Sequence, residues 1–381
     1  KQALDFTVAT WDPLQACTVF GIAVSQLFGS GNAPSNFTRY PDFCCRALGV
    51  LLAIACIHCV DDMLVVEILK TIMSAYSSWR ESAELCGWDV PDAKSPPPAQ
   101  IFRALGAMID HTALPYGPPG FCAADDRVEG LCRQFEDIRS AGTLSPALAG
   151  KLYGKLMFLS SQYFGRLGRA LLRAFSRRQH EAKRTNLNPQ ILAAIKFWLS
   201  NMKTLKPREI PISLSDRPVY ISYSDGEGES AGVGVSLWRP GKRAIAGYIQ
   251  LPMEVRSVWS RAATAGDHYD IYEIEAVGPA LVLHNFGELI ESDSLWIHYI
   301  DNDSALATLV KGSSSVLSGE VITAYTHSKI ADLNLWGWFE RVSSGDNPVD
   351  KLSRGSSEGD WDIVPIEFPP QLLGDLRSYL A

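Results

Sequence analysis

The hydrophobic period of this chain changes at Val219, and that change limits the folds that the residues after it can adopt. Apolar and polar residues alternate in three successive segments between residues 219 and 250, which predicts an antiparallel meander of half-buried strands. A helical stretch over residues 269–290, an apolar strand over Leu295–Ile300 and a second helix over residues 318–335 follow. The order of three strands, helix, strand and helix predicts a mixed sheet covered by helices.

Before this point the apolar spacing is helical and the charge is positive. Apolar residues recur every three or four positions between Leu152 and Leu167, which predicts long helices in residues 146–205. Nine Lys/Arg stand against one acidic residue between Lys151 and Arg184, in a chain whose net charge is −7. A solvated helix face is the ordinary explanation, but such faces usually carry balancing acids, so the imbalance favours a surface for a polyanion. Four arginines are expected to share that face: Arg166, Arg169, Arg173 and Arg177.

Composition excludes several classes of protein. A chain of 381 residues with 46% hydrophobic residues has enough apolar surface for two or three folded domains. The longest apolar run, residues 47–57, is about half the length of a membrane span, so we expect no membrane partner. The eight cysteines lack a regular spacing and no secretory signal precedes them, which favours reduced thiols and an intracellular protein, nuclear or cytoplasmic.

Four carboxylates lie at the ends or in the middle of predicted elements. Asp225 follows the first strand of the meander, Glu275 lies within the first helix, Asp301 ends the strand Leu295–Ile300, and Asp350 lies in residues 347–354. A single carboxylate at a strand end is usually solvated. Several carboxylates from different elements can instead hold two divalent metals for phosphodiester hydrolysis, and oxygen-only ligands favour Mg²⁺ or Mn²⁺ over zinc.

The segments around these carboxylates resemble the ribonuclease H domain of retroelement polyproteins. The matching segments are residues 223–226 (Tyr-Ser-Asp-Gly), 271–277 (Ile-Tyr-Glu-Ile-Glu-Ala-Val), 299–302 (Tyr-Ile-Asp-Asn) and 347–354 (Asn-Pro-Val-Asp-Lys-Leu-Ser-Arg). The resemblance implies catalytic and metal-binding roles for Asp225, Glu275, Asp301 and Asp350.

Three neighbouring acids compete for these assignments. Glu273 is two residues from Glu275, and Glu275 is preferred because small apolar residues follow it. Asp303 and Glu227 are interpreted as solvated or as supporting the metal ligands.

The first part of the chain resembles the reverse transcriptase of the same retroelements. Residues 28–37, with Gly29, Pro34 and Phe37, are similar to the loop and helix start that cradle template and nucleotide. Residues 58–62 are similar to the palm hairpin that carries paired aspartates, which implies catalytic and metal-binding roles for Asp61 and Asp62. His58 replaces the family's usual aromatic residue there.

Two further segments follow in the family's order. Residues 85–94 are similar to the palm segment whose lysine protonates the leaving pyrophosphate, which implies a catalytic role for Lys94. Residues 104–106 are similar to the turn that grips the primer end, which implies nucleic-acid binding at Gly106.

One palm aspartate of this family lies upstream of the Gly29 loop and has no counterpart here, since Asp5 and Asp12 do not fit its motif. We therefore interpret the chain as a retroelement reverse transcriptase–ribonuclease H fragment that begins after the first palm aspartate motif. We expect no DNA polymerisation by the 381-residue chain.

The resulting prediction is a multidomain α/β and α+β protein. It has a partial reverse transcriptase palm (1–110), a helical thumb and connection with basic helices (111–210), a ribonuclease H-like domain with a mixed sheet (211–356) and a tail (357–381). The expected activity is cleavage of RNA in RNA·DNA hybrids with Mg²⁺ or Mn²⁺. Other expected partners are template-primer nucleic acid and, if the upstream aspartate were restored, deoxynucleoside triphosphates.

Two alternatives remain open. The chain could be a catalytically decayed or domesticated nucleic-acid-binding module that folds and binds without cleaving. It could also be an unrelated α/β protein in which the acidic motifs coincide by chance.

Overall fold

A computed structural model describes residues 7–12, 16–22, 33–60, 62–162, 166–181, 184–204, 208–211, 213, 215–262 and 270–381. The chain divides into two compact units, unit 1 over Lys1–Leu105 and unit 2 over Gly106–Ala381. The division after residue 105 lies close to the predicted palm boundary at residue 110. Gly29 and Asp61 lie outside the described residues.

The described residues of unit 1 form two antiparallel strand pairs and two longer helices. Its elements are β1 (Thr7–Asp12), β2 (Cys17–Ile22), α1 (Ala33–Leu52), β3 (Ala55–Cys59), β4 (Asp62–Val66), α2 (Ile72–Leu85), a 3₁₀ turn (Asp92–Lys94) and β5 (Ile101–Ala104). β3 and β4 pair with Cys59 opposite Asp62, which confirms the predicted hairpin. Leu48, Ile54 and Ala75 form a small core between α1 and α2.

Unit 2 begins with a small antiparallel sheet and a group of helices. These elements are β6 (Ala107–Asp110), β7 (Gly120–Ala123), α3 (Asp125–Ala141), α4 (Pro146–Ser161), α5 (Leu172–Gln179), α6 (Pro189–Asn201) and β8 (Arg208–Glu209). The Ser145 and Asn188 side chains accept hydrogen bonds from backbone N–H groups in the first turns of α4 and α6, and a proline follows each cap.

The prediction of continuous helices through the basic segment is wrong in one place. α4 ends at Ser161 and α5 begins at Leu172, and Gly168 between them has a φ of +69°. This left-handed conformation does not fit an α-helix and suits glycine. Arg166 and Arg169 therefore lie in turns, outside any helix.

The rest of unit 2 is built on a mixed sheet with strand order β13-β12-β9-β10-β11-β14. The strands are β9 (Val219–Glu227), β10 (Gly232–Trp238), β11 (Ala244–Gln250), β12 (Leu295–Ile300), β13 (Trp336–Arg341) and β14 (Trp361–Ile363). β9, β10 and β11 form the predicted antiparallel meander. β12 runs parallel to β9 and to β13, and β14 runs parallel to β11, so the sheet is mixed as predicted.

Helices surround this sheet. They are α7 (Met253–Ala262), α8 (Ile271–Ala276), α9 (Gly278–Phe286), α10 (Asp303–Lys311), α11 (Leu317–Asp332), α12 (Asp350–Ser353) and α13 (Pro370–Leu380). The described residues of the predicted stretch 269–290 form α8, α9 and a 3₁₀ turn (Gly287–Leu289), with Pro279 in the first turn of α9. The sequence patterns did not predict α7 and α10.

Residues 357–381 do not form a separate tail. β14 extends the mixed sheet, and α13 packs against α6, α7 and α11. Leu372, Leu376 and Tyr379 of α13 are buried. The acidic, proline-containing composition of residues 355–370 suggested a tail, but the apolar face of α13 at its end is buried in the core of unit 2.

No helix within the described parts of the chain is long and apolar enough to cross a membrane. All eight cysteines are free thiols.

Candidate functional site

The candidate site begins where the parallel strands β9 and β12 end side by side. Tyr223 of β9 lies opposite Tyr299 of β12, and their rings stack with centroids 5.0 Å apart. Asp225 and Asp301 each follow two residues later. Because side chains alternate along a strand, both carboxylates lie on the tyrosine face of the sheet, at the same edge.

Helix α8 brings the third carboxylate to this edge. A Cβ at Gly226 would lie 2.8 Å from Ile274 Cγ2 and 3.2 Å from the Glu275 nitrogen, so this close approach of α8 to β9 requires glycine. The Gly226 backbone also hydrogen bonds to the Glu275 carboxylate. Glu273 points elsewhere and accepts a 2.8 Å hydrogen bond from Ser318 Oγ, so Glu275 is the glutamate at the site.

Asp225, Glu275 and Asp301, called here the acidic trio, each offer one oxygen, and these oxygens lie within 4.8 Å of one another. Asp225 and Glu275 are buried, and Asp301 is half-buried. Glu275 Oε2 and Asp301 Oδ1 are buried and have no hydrogen-bond partner among the described residues. Buried polar atoms without partners are costly, so this site has unused capacity to bind a ligand.

Burial and neighbouring charges raise the pKa values of two members of the trio, Glu275 and Asp225. Burial, and then the charges of Asp225 and Asp301, raise the pKa of Glu275 to about 9. Burial is also the largest effect on Asp225 and raises its pKa to about 6, with Asp301 and Asp350 contributing and a Ser353 hydrogen bond opposing. At neutral pH the metal-free trio therefore retains a proton on Glu275.

These residues fit a hard divalent cation. The donors are all carboxylate oxygens, which such cations prefer, and a cation would partner the two orphaned oxygens. It would also offset the burial and the mutual repulsion that raise both pKa values.

Asp350, the fourth predicted ligand, lies beside the trio and outside it. Its Oδ1 accepts a 2.8 Å hydrogen bond from Arg354 Nη2, yet its charge contributes to the raised pKa of Asp225. Asn347 Nδ2 anchors this segment by donating to the Ser224 carbonyl at 3.0 Å and facing Asp225 Oδ1 at 3.5 Å. The structure thus brings three of the four predicted carboxylates together and holds the fourth nearby in an ion pair.

Two arginines near the site were missed by the sequence interpretation. Arg341, the last residue of β13, donates to Asp303 at 2.8 Å, and its charge counteracts the rise in the Glu275 pKa. Arg354 belongs to the quoted motif, but only its bond to Asp350 gives it a place in the site. The strand-end position of Arg341 beside β12 is the signal that could have identified it. Glu227 accepts hydrogen bonds from the backbone N–H and the hydroxyl of Ser230 in the loop that follows it.

The predicted basic face is corrected. Arg177 makes two hydrogen bonds to the Glu320 carboxylate, one of 3.0 Å, and Arg173 Nε lies 4.0 Å from the same carboxylate. Glu320 has an exposed fraction of 0%, and Tyr379 Oη donates to it at 2.6 Å. A buried carboxylate needs such partners, so Arg177, whose side chain is 34% exposed, is engaged in an ion pair within unit 2. Arg166 and Arg169 are half-buried in turns, and the four arginines do not share one helix face.

The residues predicted for polymerase chemistry lie in the following elements. Pro34 lies in the first turn of α1 and Phe37 is exposed on the same helix. Asp62 begins β4 and Lys94 ends the 3₁₀ turn, both exposed. Gly106 has a φ of +78° before β6, which suits glycine in a turn. Their roles remain predictions.

No family model matches this chain, and no curated protein matches it. Among solved structures, it is similar to a foamy virus protease-reverse transcriptase in complex with an RNA/DNA hybrid, at 13% sequence identity and a TM-score of 0.43. The match covers 92% of this chain and 41% of that chain, so the chain spans about two fifths of the foamy virus protein's length.

Proposed function

We propose that unit 2 is a ribonuclease H-like nuclease that cleaves the RNA strand of RNA·DNA hybrids with Mg²⁺ or Mn²⁺. The observation that carries this proposal is the acidic trio, in which two buried carboxylate oxygens have no hydrogen-bond partner in the described parts of the chain. The trio lies where the parallel strands β9 and β12 end beside α8. The irregular spacing of the eight cysteines is the basis for proposing an intracellular setting.

In this proposal Asp225, Glu275, Asp301 and Asp350 hold the metal ions. Two such ions, when bound, activate a water molecule and stabilise the leaving oxygen of the phosphodiester. The chain's own contribution is rigid placement. The Gly226 backbone orients the Glu275 carboxylate, and Asn347 ties the Asp350 segment to β9.

Nucleic-acid affinity is assigned to the basic segment of residues 151–184. Arg166, Arg169 and Arg173 stay partly exposed and can neutralise phosphates without reading sequence. RNA·DNA hybrid and template-primer are the proposed partners. In the same proposal residues 1–110 are a partial palm and residues 111–210 a thumb and connection. Deoxynucleoside triphosphates would bind only if the upstream aspartate were restored.

The polymerase part of the proposal has its own test. We expect no primer extension by the 381-residue chain, because the Asp61-Asp62 pair would lack its third carboxylate. Steady incorporation of nucleotides on a primed template would contradict this expectation.

The nuclease is tested with a labelled RNA·DNA hybrid and Mg²⁺ or Mn²⁺. We expect the unaltered chain to cleave the hybrid and to leave single-stranded RNA intact. Asp301→Asn removes one charge from the trio and should lower the rate by at least about a hundredfold. Asp332→Asn, at an exposed position on α11, is the matched control and should cleave as the unaltered chain does.

A folded, hybrid-binding chain that does not cleave under any of these conditions would favour the decayed or domesticated binding module. Equal cleavage rates for Asp301→Asn and the unaltered chain would show that the acidic trio takes no part in the reaction.

A further inference from the structure

The ion pair between Asp350 and Arg354 lies at the border of the acidic trio. The two residues are four positions apart, at the start and just beyond the end of α12, and Arg354 Nη2 lies 2.8 Å from Asp350 Oδ1. The side chains are 34% and 65% exposed, respectively. An exposed i,i+4 pair of this kind is worth only about 0.3–0.5 kcal/mol, so it can open at little cost.

Arg354 follows α12, and this helix packs against β9, the strand that carries Asp225. The residue before Arg354, Ser353, hydrogen bonds to the Asp225 carboxylate. The Asp350–Arg354 pair therefore lies at the edge of the acidic site. At this edge the Arg354 guanidinium repels any cation that approaches Asp350.

The other guanidinium at the site has a different kind of partner. Arg341 is bound to Asp303, which lies outside the acidic trio and outside the predicted ligands. Release of Arg341 would free no metal ligand. Arg354 is bound to a residue that the proposed nuclease needs for its metal ions, and this distinguishes the two arginines.

We propose that Arg354 is a positioning residue that exchanges partners, holding Asp350 away from the metal site in the free protein and moving to a backbone phosphate of the bound hybrid. The inference rests on the proposed function. Guanidinium groups bind phosphate oxygens in bidentate fashion, so a phosphate replaces the carboxylate without leaving the cation unpaired. Asp350 is then released to the metal, and hybrid binding and metal binding strengthen each other.

This exchange predicts effects of opposite sign for one substitution. Arg354→Gln removes the competitor of the metal at Asp350 and also a repulsive charge, so the free protein should bind Mn²⁺ about three- to tenfold more tightly. The same change removes a phosphate contact, so hybrid affinity should fall by about the same factor. A merely structural pair would weaken both interactions or neither.

The test measures Mn²⁺ affinity by calorimetry on the full chain, alone and with a hybrid whose RNA strand carries 2′-O-methyl groups and resists cleavage. We expect the hybrid to tighten Mn²⁺ binding in the unaltered chain and to lose this effect in Arg354→Gln. Arg354→Lys keeps the charge and should restore part of the coupling. Lys351→Ala is the matched control, because Lys351 is a cation of the same helix whose partner is the exposed Glu358. It should change Mn²⁺ affinity by less than about twofold.

Unchanged or weaker Mn²⁺ binding by Arg354→Gln in the absence of hybrid would overturn the exchange, as would coupling that persists in that variant. Cleavage of the labelled RNA·DNA hybrid by the unaltered chain is measured in a separate assay. If the chain binds Mn²⁺ and hybrid with the expected coupling but does not cleave, the proposed nuclease fails and the exchange stands. If it cleaves and Arg354→Gln shows neither effect, the exchange alone fails.

Discussion

At the scale of single residues, Glu275 is the most strongly perturbed member of the site. Its buried carboxyl lies against two aspartates, and its pKa of about 9 means that it is protonated at neutral pH without a metal. Burying and protonating a carboxyl that is ionised in the unfolded chain costs folding free energy. Such costs are common at binding sites, where function takes precedence over stability.

Glu275→Gln should stabilise the metal-free protein at alkaline pH. The ordinary glutamate pKa is 4.5 and the folded one is about 9, so the folded state binds the extra proton. Stability from this proton is complete below pH 4.5 and is lost as the pH rises toward 9, by at most about 1.4 kcal/mol per pH unit. Glutamine resembles the protonated acid and avoids this loss.

The check is a pair of thermal unfolding curves with chelator, at pH 5 and pH 8. We expect a higher melting temperature for Glu275→Gln at pH 8 and little difference at pH 5. Added Mn²⁺ should stabilise the unaltered chain more than the variant. A variant that melts lower than the unaltered chain at pH 8 with chelator would contradict the burial argument.

At the scale of elements, helix α13 is the part of unit 2 whose role departs most from its sequence. It packs on α6, α7 and α11, and its Tyr379 hydroxyl bonds to the buried Glu320 that also holds Arg177. Gln190 of α6 donates to the Tyr379 carbonyl. One residue near the end of the chain thus joins three helices.

Deletion of residues 370–381 should unfold or severely destabilise unit 2. Burial of Leu372, Leu376 and Tyr379 contributes about 1.5–3 kcal/mol for each side chain, and the deletion would also strip a partner from Glu320. Tyr379→Phe keeps the ring and should cost about 1–3 kcal/mol. Both effects are measured by urea unfolding of the full chain, with Ser378→Ala on the exposed side of α13 as the control. Unchanged stability after the deletion would instead support the prediction that residues 357–381 form a separate tail.

The arginines around α5 separate into two kinds, and the separation can be measured. Arg177→Ala leaves Glu320 short of a cation and should destabilise the protein by about 3 kcal/mol, with little effect on the salt dependence of hybrid binding. Arg169→Ala, in a turn, should leave stability nearly unchanged and reduce the slope of log affinity against log salt by about one. Identical slopes of log affinity against log salt for Arg169→Ala and the unaltered chain would show that Arg169 does not contact the nucleic acid.

At the scale of the whole molecule, buried histidines lower the stability at acidic pH and buried carboxyls lower it at higher pH. Burial lowers the pKa of His298 to about 3 and that of His327 to about 4, from an ordinary 6.5. His298 is held neutral between Ser222 and Ser224. Because the unfolded chain binds these protons first, stability falls as the pH drops from 6.5 toward 3. The carboxyls of Asp225 and Glu275 act at higher pH, as described for Glu275.

The metal-free protein should therefore be most stable near about pH 6, and excess Mn²⁺ should move this optimum upward. Melting temperatures between pH 4 and pH 9 check this directly. His298→Gln removes one titrating group and should flatten the acid side of the profile, whatever its effect on absolute stability. An optimum above pH 8 with chelator present would contradict the raised carboxyl pKa values.

How much the sequence predicted can be seen from the same residues. Alternation predicted the strands of the meander, and an apolar segment predicted β12. The strand ends placed Asp225 and Asp301 together, because short-range sequence patterns determine where these strands end. Glu275 was chosen from the small apolar residues that follow it, whereas the need for glycine at position 226, where α8 approaches β9, came only from the structure. Spacing along a helix contains no information on partners 143 residues away, so the Arg177–Glu320 bond was missed. For the same reason the sequence did not reveal that one face of α13 is buried. The composition of residues 355–370 was therefore interpreted as a tail.

The contact between Arg177 and Tyr379 joins residues 202 positions apart, and this sets an order of events during synthesis. A ribosome adds about 5–20 residues per second, so α5 and α6 emerge many seconds before α13 exists. Until residue 380 has been made, the surfaces of α6, α7 and α11 that receive α13 stay uncovered. The nascent chain must remain soluble with its interior open, so unit 2 closes only after translation has passed its last helix, and chaperones that bind exposed apolar segments have that interval in which to act.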